Sequence, residues 1–398
     1  MVGLLGVYVD DILVVGPLDV VRATLRQIRA TWKASVPELM RFRPAGGVPG
    51  TAGLEETPTA TVAAATKQQQ EEEKTANELT FLGLTIAAID GGYLLHQRAF
   101  VRQLLRDRQM TDAKGSEHLK DETRYTPKAS AGAPGEDQEE LDVLWGAPGD
   151  FEHEVDPPTA QIREAQSLAG ALNWLATRTR GDIAFGVSRM SSMSTLAPQR
   201  ALALGKKILR YLIATPDVGL RMVQAGCAGG TPGTAGQPEE AATLRCYCDA
   251  SFSPYGEHSF TGVCLMWRGS ALLWRAVKQS MVAQSTAEAE LLAMASGLQV
   301  AQAIQEVVNE LGVWDTTQVT ILGDNAAAIA LAKNGGSWRS GHYAVKASAL
   351  REAFRNEWAT LQWVESEHQV ADLMTKFTPP QTSRRLRRLA GMGGEGAE

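Results

Sequence analysis

The order of elements from about residue 242 onward constrains this chain most. "LRCYCDAS" reads as a strand, and "FTGVCLMW" and "ALLWRAVKQ" read as a hairpin around Arg268-Gly269-Ser270. A long helix is predicted from about Ser285 to Leu311, then a strand over "QVTILGD" and a short helix over "NAAAIALAKNGG" with a glycine stop. "KASALREAFRNEW" reads as a helix, "LQWVES" as a strand, and "QVADLMTKF" as the start of a last helix. Three strands followed by alternating helices and strands are satisfied by a mixed sheet with helices packed on it.

Upstream, three stretches look like linkers or insertions: residues 44–78, 112–160 and 224–241, rich in Gly, Pro, Thr, Gln or charge. Such compositions bury too little apolar surface to offset chain entropy. The first is expected to be a disordered insert and the last a Gly/Pro-rich hinge. Residues 161–223 carry apolar positions three and four apart and read as a helical block. Residues 381–398 read as a basic, then Gly-rich, tail. With 44% hydrophobic residues the chain has enough apolar material for a core. Its net charge of −6 does not itself suggest a nucleic-acid binder, although "GKKILRYL" and "SRRLRRLAG" are locally basic. Cys227, Cys246, Cys248 and Cys264 lack zinc spacing and are expected to be reduced thiols in an intracellular protein. The N-terminus lacks a basic n-region, so no signal peptide is expected, and no stretch is expected to span a membrane.

Four acids stand at element junctions: Asp249 ends the first strand, Glu290 lies early in the long helix, Asp324 follows a strand, and Asp372 opens the last helix. Singly, each acid outside the long helix has a bland role: Asp249 a turn residue, Asp324 an N-cap, Asp372 a partner of the helix dipole. Their joint placement is what one would choose for a metal site. The long helix is more discriminating. "STAE" is a capping box that accounts for Glu288 through Ser285. At about 100° per residue, Glu290 falls in the apolar stripe of Leu291, Met294, Ala295, Leu298 and Ala301. A carboxylate there is costly without a positive partner, and no Lys or Arg occurs between Gln279 and Lys333. Two carboxylates about 4 Å apart repel by about 4 kcal/mol at an effective dielectric near 20. Oxygen ligands with few His or Cys select Mg²⁺ or Mn²⁺ over zinc.

Near the N-terminus, "GVYVDDILVVG" reads as a hairpin presenting Asp10 and Asp11 at its tip. "YVDDILVV" resembles the reverse-transcriptase Y-x-D-D hairpin. "FLGLTI", "GGYLLHQRAFVRQLL" and "SLAGALNWLATRTRGDIAFGVSRMS" resemble the segments that follow it in copia-type LTR-retrotransposon Pol polyproteins. "CDASF", "SFTGVCLMW", "QSTAEAELLAM", "GDNAAAIALAKN" and "VADLMTKF" resemble, in order, the ribonuclease H domain of that family. The resemblance implies an α/β fold, a ribonuclease H-like mixed five-stranded sheet with flanking helices over 242–380. It implies a reverse-transcriptase palm and thumb remnant over 1–111, a linker over 112–160 and a helical connection region over 161–223. It implies Asp249, Glu290, Asp324 and Asp372 as metal ligands, Asp10 and Asp11 as palm aspartates, and Mg²⁺ or Mn²⁺ as cofactor. The implied activity is two-metal hydrolysis of the RNA strand of RNA–DNA hybrids, with template RNA and cDNA as partners in the cytoplasm or nucleus and no membrane partner.

Departures from the family pattern shape the remaining expectations. Only seven residues precede Tyr8, so the polymerase half is expected to be truncated and inactive as it stands. Where the family has K-H-I-D, this sequence keeps His342 but has Gly341 and Ala344. His368 precedes Asp372 by four residues, as a solvated loop histidine or a proton-transfer aid. Lys206, Lys207 and Arg210 form either a phosphate contact or a solvated helix face. An inactive or domesticated remnant that only binds nucleic acid or protein is the alternative.

Overall fold

The computed structural model describes residues 4–8, 11–31, 38–41, 61–65, 74–119, 158–223, 243–253, 258–311, 318–334 and 343–394. Asp10, Cys227, His342 and the hinge at 224–241 lie outside the described residues.

The expected N-terminal hairpin forms: β1 (Leu4–Tyr8) pairs antiparallel with β2 (Asp11–Gly16). Helix α1 (Leu18–Thr31) lays Val21, Leu25 and Ile28, spaced by four and three, on Val14 and Leu39. Three short strands, β3 (Glu38–Arg41), β4 (Thr61–Ala65) and β5 (Lys74–Thr75), complete a sheet of order β1-β2-β4-β3-β5. The expectation of a disordered insert over 44–78 is corrected at 61–65 and 74–78, while residues 44–60 and 66–73 lie outside the described residues. Residues 61–65 pair with β2 on one side and β3 on the other, and 74–75 pair with β3. The short run "TVAAA" is diluted by its Gly- and Gln-rich surroundings, and backbone pairing on both edges supplies what composition does not.

A second sheet begins with β6 (Glu78–Phe81), β7 (Leu84–Ile89) and β8 (Gly92–His96). The chain then runs through α2 (Arg98–Asp107), α3 (Thr159–Ala176), a 3₁₀ turn (Gly181–Ile183), α4 (Ala184–Met193) and α5 (Pro198–Ala214). These helices share a core of Leu168, Leu172, Leu175, Val187, Met190, Ile208 and Leu212. Strand β9 (Gly219–Val223) returns to pair with β8.

The third sheet is the one the C-terminal pattern predicts. β10 (Thr243–Ser251), β11 (Phe260–Trp267) and β12 (Ser270–Lys278) are antiparallel neighbours. After α6 (Thr286–Glu310), β13 (Gln318–Gly323) lies parallel to β10. After α7 (Ala326–Asn334) and α8 (Ala344–Arg355), β14 (Ala359–Trp363) lies parallel to β13. The order β12-β11-β10-β13-β14 is the ribonuclease H-like architecture. Successive residues of β10 face opposite sides. Leu244, Cys246 and Cys248 pack under Leu291, Met294, Leu298 and Ala301 of α6. Tyr247 faces the other layer with Val370, Leu373 and Met374. The described cysteines, Cys246, Cys248 and Cys264, are buried and free, as expected. Helix α6 has the length and composition to cross a bilayer, but one face of it is packed on this sheet, which makes it the core helix.

Two expectations for the C-terminus are corrected. "QVADLMTKF" is not an α-helix start but a 3₁₀ turn, Val370–Met374, held by the buried Gln369 side chain. Residues 381–398 are not a plain tail. Helix α9 (Pro380–Leu389) buries Leu386, Ala390 follows it into the core, and β15 (Met392–Gly393) pairs with β9. The arginines dominate the composition there, but Leu386 and Ala390, four apart, share one buried side.

Helices α3 to α5 are fastened by a buried charge pair. Arg180 meets Asp182 bidentately, with Nε and one terminal nitrogen each 2.9 Å from a carboxylate oxygen. Its other donors reach the Thr215 carbonyl at 3.0 Å and the Thr215 hydroxyl at 2.7 Å, and the Tyr211 hydroxyl donates to Asp182 at 2.8 Å. Arg387 of α9 approaches the same carboxylate at 3.8 Å. Burial alone raises the Asp182 carboxyl, but the Arg180 guanidinium outweighs it and holds the carboxyl below its ordinary range. A depressed carboxyl contributes stability above its unfolded value near about 3.9, lost as pH falls through the folded value. We expect Asp182→Asn to cost about 3–5 kcal/mol at pH 7, because it strands the buried guanidinium. Denaturant unfolding should show the gap closing below about pH 4, and a gap that persists unchanged at pH 3 would refute the pairing.

Candidate active site

The parallel pairing of β10 with β13 sets the site. Tyr247 is level with Leu322, so Asp249, inside β10, and Asp324, just past the end of β13, lie two residues further along and are brought together. Asp249 is 2% exposed. Asp324 is half-buried and accepts a 2.9 Å hydrogen bond from the Ser366 hydroxyl. It does not cap α7: the cap is its neighbour Asn325, whose side chain accepts from the Ala328 amide at 3.0 Å. Asp324 is thereby left free of the structural role its position suggested.

Glu290 comes from α6, 6% exposed on the sheet side, as the helical wheel predicts. Gly297 brings the helix this close, since a Cβ there would lie 2.3 Å from the Cys248 Sγ. Carboxylate oxygens of Asp249, Glu290 and Asp324 all lie within 4.8 Å of one another. Glu288 has the capping role expected, with one change of partner. Its amide donates to the Ser285 hydroxyl at 3.3 Å, and its carboxylate accepts from the Gln284 amide at 2.7 Å rather than from Ser285.

Asp372 arrives on the 3₁₀ turn laid across β11. Gly262, the strand partner of Asp249, makes room, because a Cβ there would press within 2.6 Å of Thr375 and 2.8 Å of the Ala371 carbonyl. Gln369 pins the turn by donating to the Cys248 carbonyl at 3.0 Å. Asp372 is joined to the other acids through Lys376, whose Nζ lies 2.8 Å from Asp372 Oδ1 and 3.7 Å from Asp249 Oδ2. Thr375 donates its hydroxyl to Asp249.

Sequence reasoning missed Ser366, Gln369, Thr375 and Lys376. A search for a cation along α6 could not find Lys376, which comes from the other end of the domain. The available signal was the spacing of Asp372 and Lys376, four apart on one turn. The other sequence-predicted residues stand elsewhere. Asp11 opens β2 in the first sheet and is half-buried there. His368 is half-exposed and faces Glu365 at 3.4 Å. Lys206 and Arg210 are exposed on α5, with Lys207 half-buried beside them.

Burial pushes the Glu290 carboxyl up to about 9, and the charges of Asp249 and Asp324 push it the same way. Burial likewise raises Asp372 to about 7, with Asp249 adding to it and Lys376 opposing. Asp249 is also raised, by burial, against the pull of Lys376. Such a cluster is relieved by a divalent cation, and its donors are all hard oxygens. Glu290 Oε2 is buried and accepts no hydrogen bond, an orphan that a cation would satisfy. The residues present therefore fit a metal ion.

No protein-family model matches the chain. It is 27% identical over 299 residues to the retrovirus-related Pol polyprotein from transposon RE1 of Arabidopsis thaliana, covering 74% of this chain and 18% of that polyprotein. It is 28% identical over 229 residues to the Pol polyprotein from transposon TNT 1-94 of Nicotiana tabacum, covering 57% of this chain and 16% of the relative. Its homologues are retrovirus-related Pol polyproteins of copia-type transposons. The chain spans less than a fifth of the length of these Pol relatives. Among solved structures, LC11-RNase H1 isolated from compost aligns with 34% of this chain and 93% of its own, at 14% identity and a TM-score of 0.28.

The two glutamates of α6 offer the sharpest contrast among these acids, lying about 200° apart around the helix. Glu288→Gln should lower stability slightly and keep Mn²⁺ binding near that of the wild-type chain, since Gln can still accept at the helix start. Glu290→Gln should weaken Mn²⁺ binding at least about tenfold by titration calorimetry. Weakened binding by Glu288→Gln beside unchanged binding by Glu290→Gln would reverse the assignment.

Proposed function

We propose that residues 242–380 form a ribonuclease H that hydrolyses the RNA strand of RNA–DNA hybrids with Mg²⁺ or Mn²⁺. The observation that carries this reading is the meeting of Asp249, Glu290 and Asp324 around the unpartnered, buried Glu290 Oε2. Asp249, Glu290, Asp324 and Asp372 would hold the ions. Bound ions would supply an activated water and offset the charge on the phosphate oxygens, in the two-metal form of this chemistry. The chain's own part is orientation. Thr375 fixes one oxygen of Asp249, Ser366 fixes one oxygen of Asp324, and Gln369 keeps Asp372 seated against β10. The products would be a 3′-hydroxyl and a 5′-phosphate, as the resemblance implies. Discrimination of RNA from DNA would rest on the 2′-hydroxyl and the hybrid's shape. Template RNA and cDNA would be the natural partners, and the buried free thiols suit an intracellular setting.

One observation favours a second reading, a non-catalytic remnant that binds nucleic acid or protein. The Lys376 ammonium among the acids gives them a counter-ion without any metal. The readings part on activity. We expect the chain to cleave a labelled RNA–DNA hybrid with Mg²⁺ and to stop in EDTA. Asp324→Asn should lose at least about 100-fold in rate while keeping the wild-type circular dichroism. Failure of the wild-type chain to cleave under any Mg²⁺ or Mn²⁺ concentration supports the remnant, and full activity of Asp324→Asn sinks the ligand set.

A further inference from the structure

Most ion pairs among the described residues leave their acid where water reaches it, but those of Lys376 do not. Its Nζ sits 2.8 Å from Asp372 Oδ1 and 3.7 Å from Asp249 Oδ2, and those side chains are only 11% and 3% exposed. Among the described residues it is the one cation ion-paired with any acid of the site. The acids therefore divide. Asp249, Glu290 and Asp324 gather on one side with an orphaned oxygen and no ammonium in contact with Glu290 or Asp324. Asp249 and Asp372 share the other side with Lys376. The lysine itself is 44% exposed, so its stem has a path into water that the acids lack. Thr375, the residue before it, is fully buried and bonded to Asp249, which anchors the backbone from which the stem departs.

We propose that Lys376 is a built-in cation for the Asp249–Asp372 side of the site, holding those two acids together until a second divalent ion displaces its ammonium into solvent. Lys376 is then a positioning residue that sets how weakly the second ion binds, and the ion held by Asp249, Glu290 and Asp324 binds without competition. The inference rests on reading these acids as a metal site. Two charges of like sign cannot occupy one carboxylate pair at contact distance, so ammonium and divalent ion exclude each other there.

The test uses the full chain and Mn²⁺ alone, read by calorimetry and by electron paramagnetic resonance. Wild type should bind one Mn²⁺ tightly and a second at least about tenfold more weakly. Lys376→Gln should tighten the second step at least about tenfold and show the signature of a coupled Mn²⁺ pair at lower metal. Lys376→Arg, which keeps the charge, should behave as wild type. Lys376→Gln should also melt earlier than wild type in EDTA, with the difference lost in saturating Mn²⁺. A readout on the wild-type chain removes dependence on the variants. With lysines reductively ¹³C-methylated, the Lys376 resonance should move on the second step of a Mg²⁺ titration and not on the first. Equal second-ion affinity in wild type and Lys376→Gln, or a Lys376 resonance that moves with the first ion, overturns the proposal and leaves the metal site standing. Absence of Mn²⁺ binding by wild type and Lys376→Gln alike overturns both.

Discussion

Carboxylates withdrawn from water at one end of a sheet set the terms for what surrounds them. Asp249, Glu290 and Asp372 are each less than a tenth exposed, and Asp324 is half-buried. Unscreened, such groups repel one another, so the fold must both force them together and supply compensation. The force comes from elements that have no choice of position. Two parallel strands lie in fixed register, a helix is drawn close over two cysteines at Gly297, and a 3₁₀ turn drops onto the side-chain-free surface at Gly262. The compensation comes from Thr375, Ser366 and above all Lys376.

The turn that carries Asp372 and Lys376 is also where the middle of the chain touches the site. Phe377, next to Lys376, meets Phe185 of α4 edge-on at 5.0 Å between ring centres, and Phe185 meets Phe260 of β11 at 5.3 Å. Aromatic contacts of this kind add specificity of placement beyond the area they bury. The Trp274 indole of β12 donates to the Ala176 carbonyl at the end of α3. Helices α3 and α4 therefore grip the C-terminal sheet at both the acidic turn and the β12 edge. The buried Arg180–Asp182 pair locks those helices to one another and, through Arg387, to α9.

Much of this was legible in the sequence where one physical rule dominated. Period-two and period-3.6 patterns gave every strand and helix of the C-terminal sheet up to β14, because each element has one or both faces in a core. The helical wheel put Glu290 inside and Glu288 outside for the same reason. Legibility failed where pairing across long sequence distances decides the outcome. The run at 61–65 becomes a strand only because β2 and β3 flank it. The turn at 370–374 takes 3₁₀ form where Gln369 binds the Cys248 carbonyl and Gly262 sets its height. Lys376 was invisible as the partner of Asp249, 127 positions away in numbering, because local charge spacing carries no information about a contact of that range.

The pairing of β15 with β9 has a consequence for biosynthesis. Met392 bonds to Leu220 and Gly393 to Gly219, so the sheet started by residues 78–96 lacks its last strand until nearly the whole of this sequence has left the ribosome. Segments made early usually fold as units during translation, but this one must wait with an open edge that invites other strands. A premature stop or a frameshift after Lys376 would leave the acidic cluster encoded and still disturb the middle of the protein, through a strand whose partner was made long before.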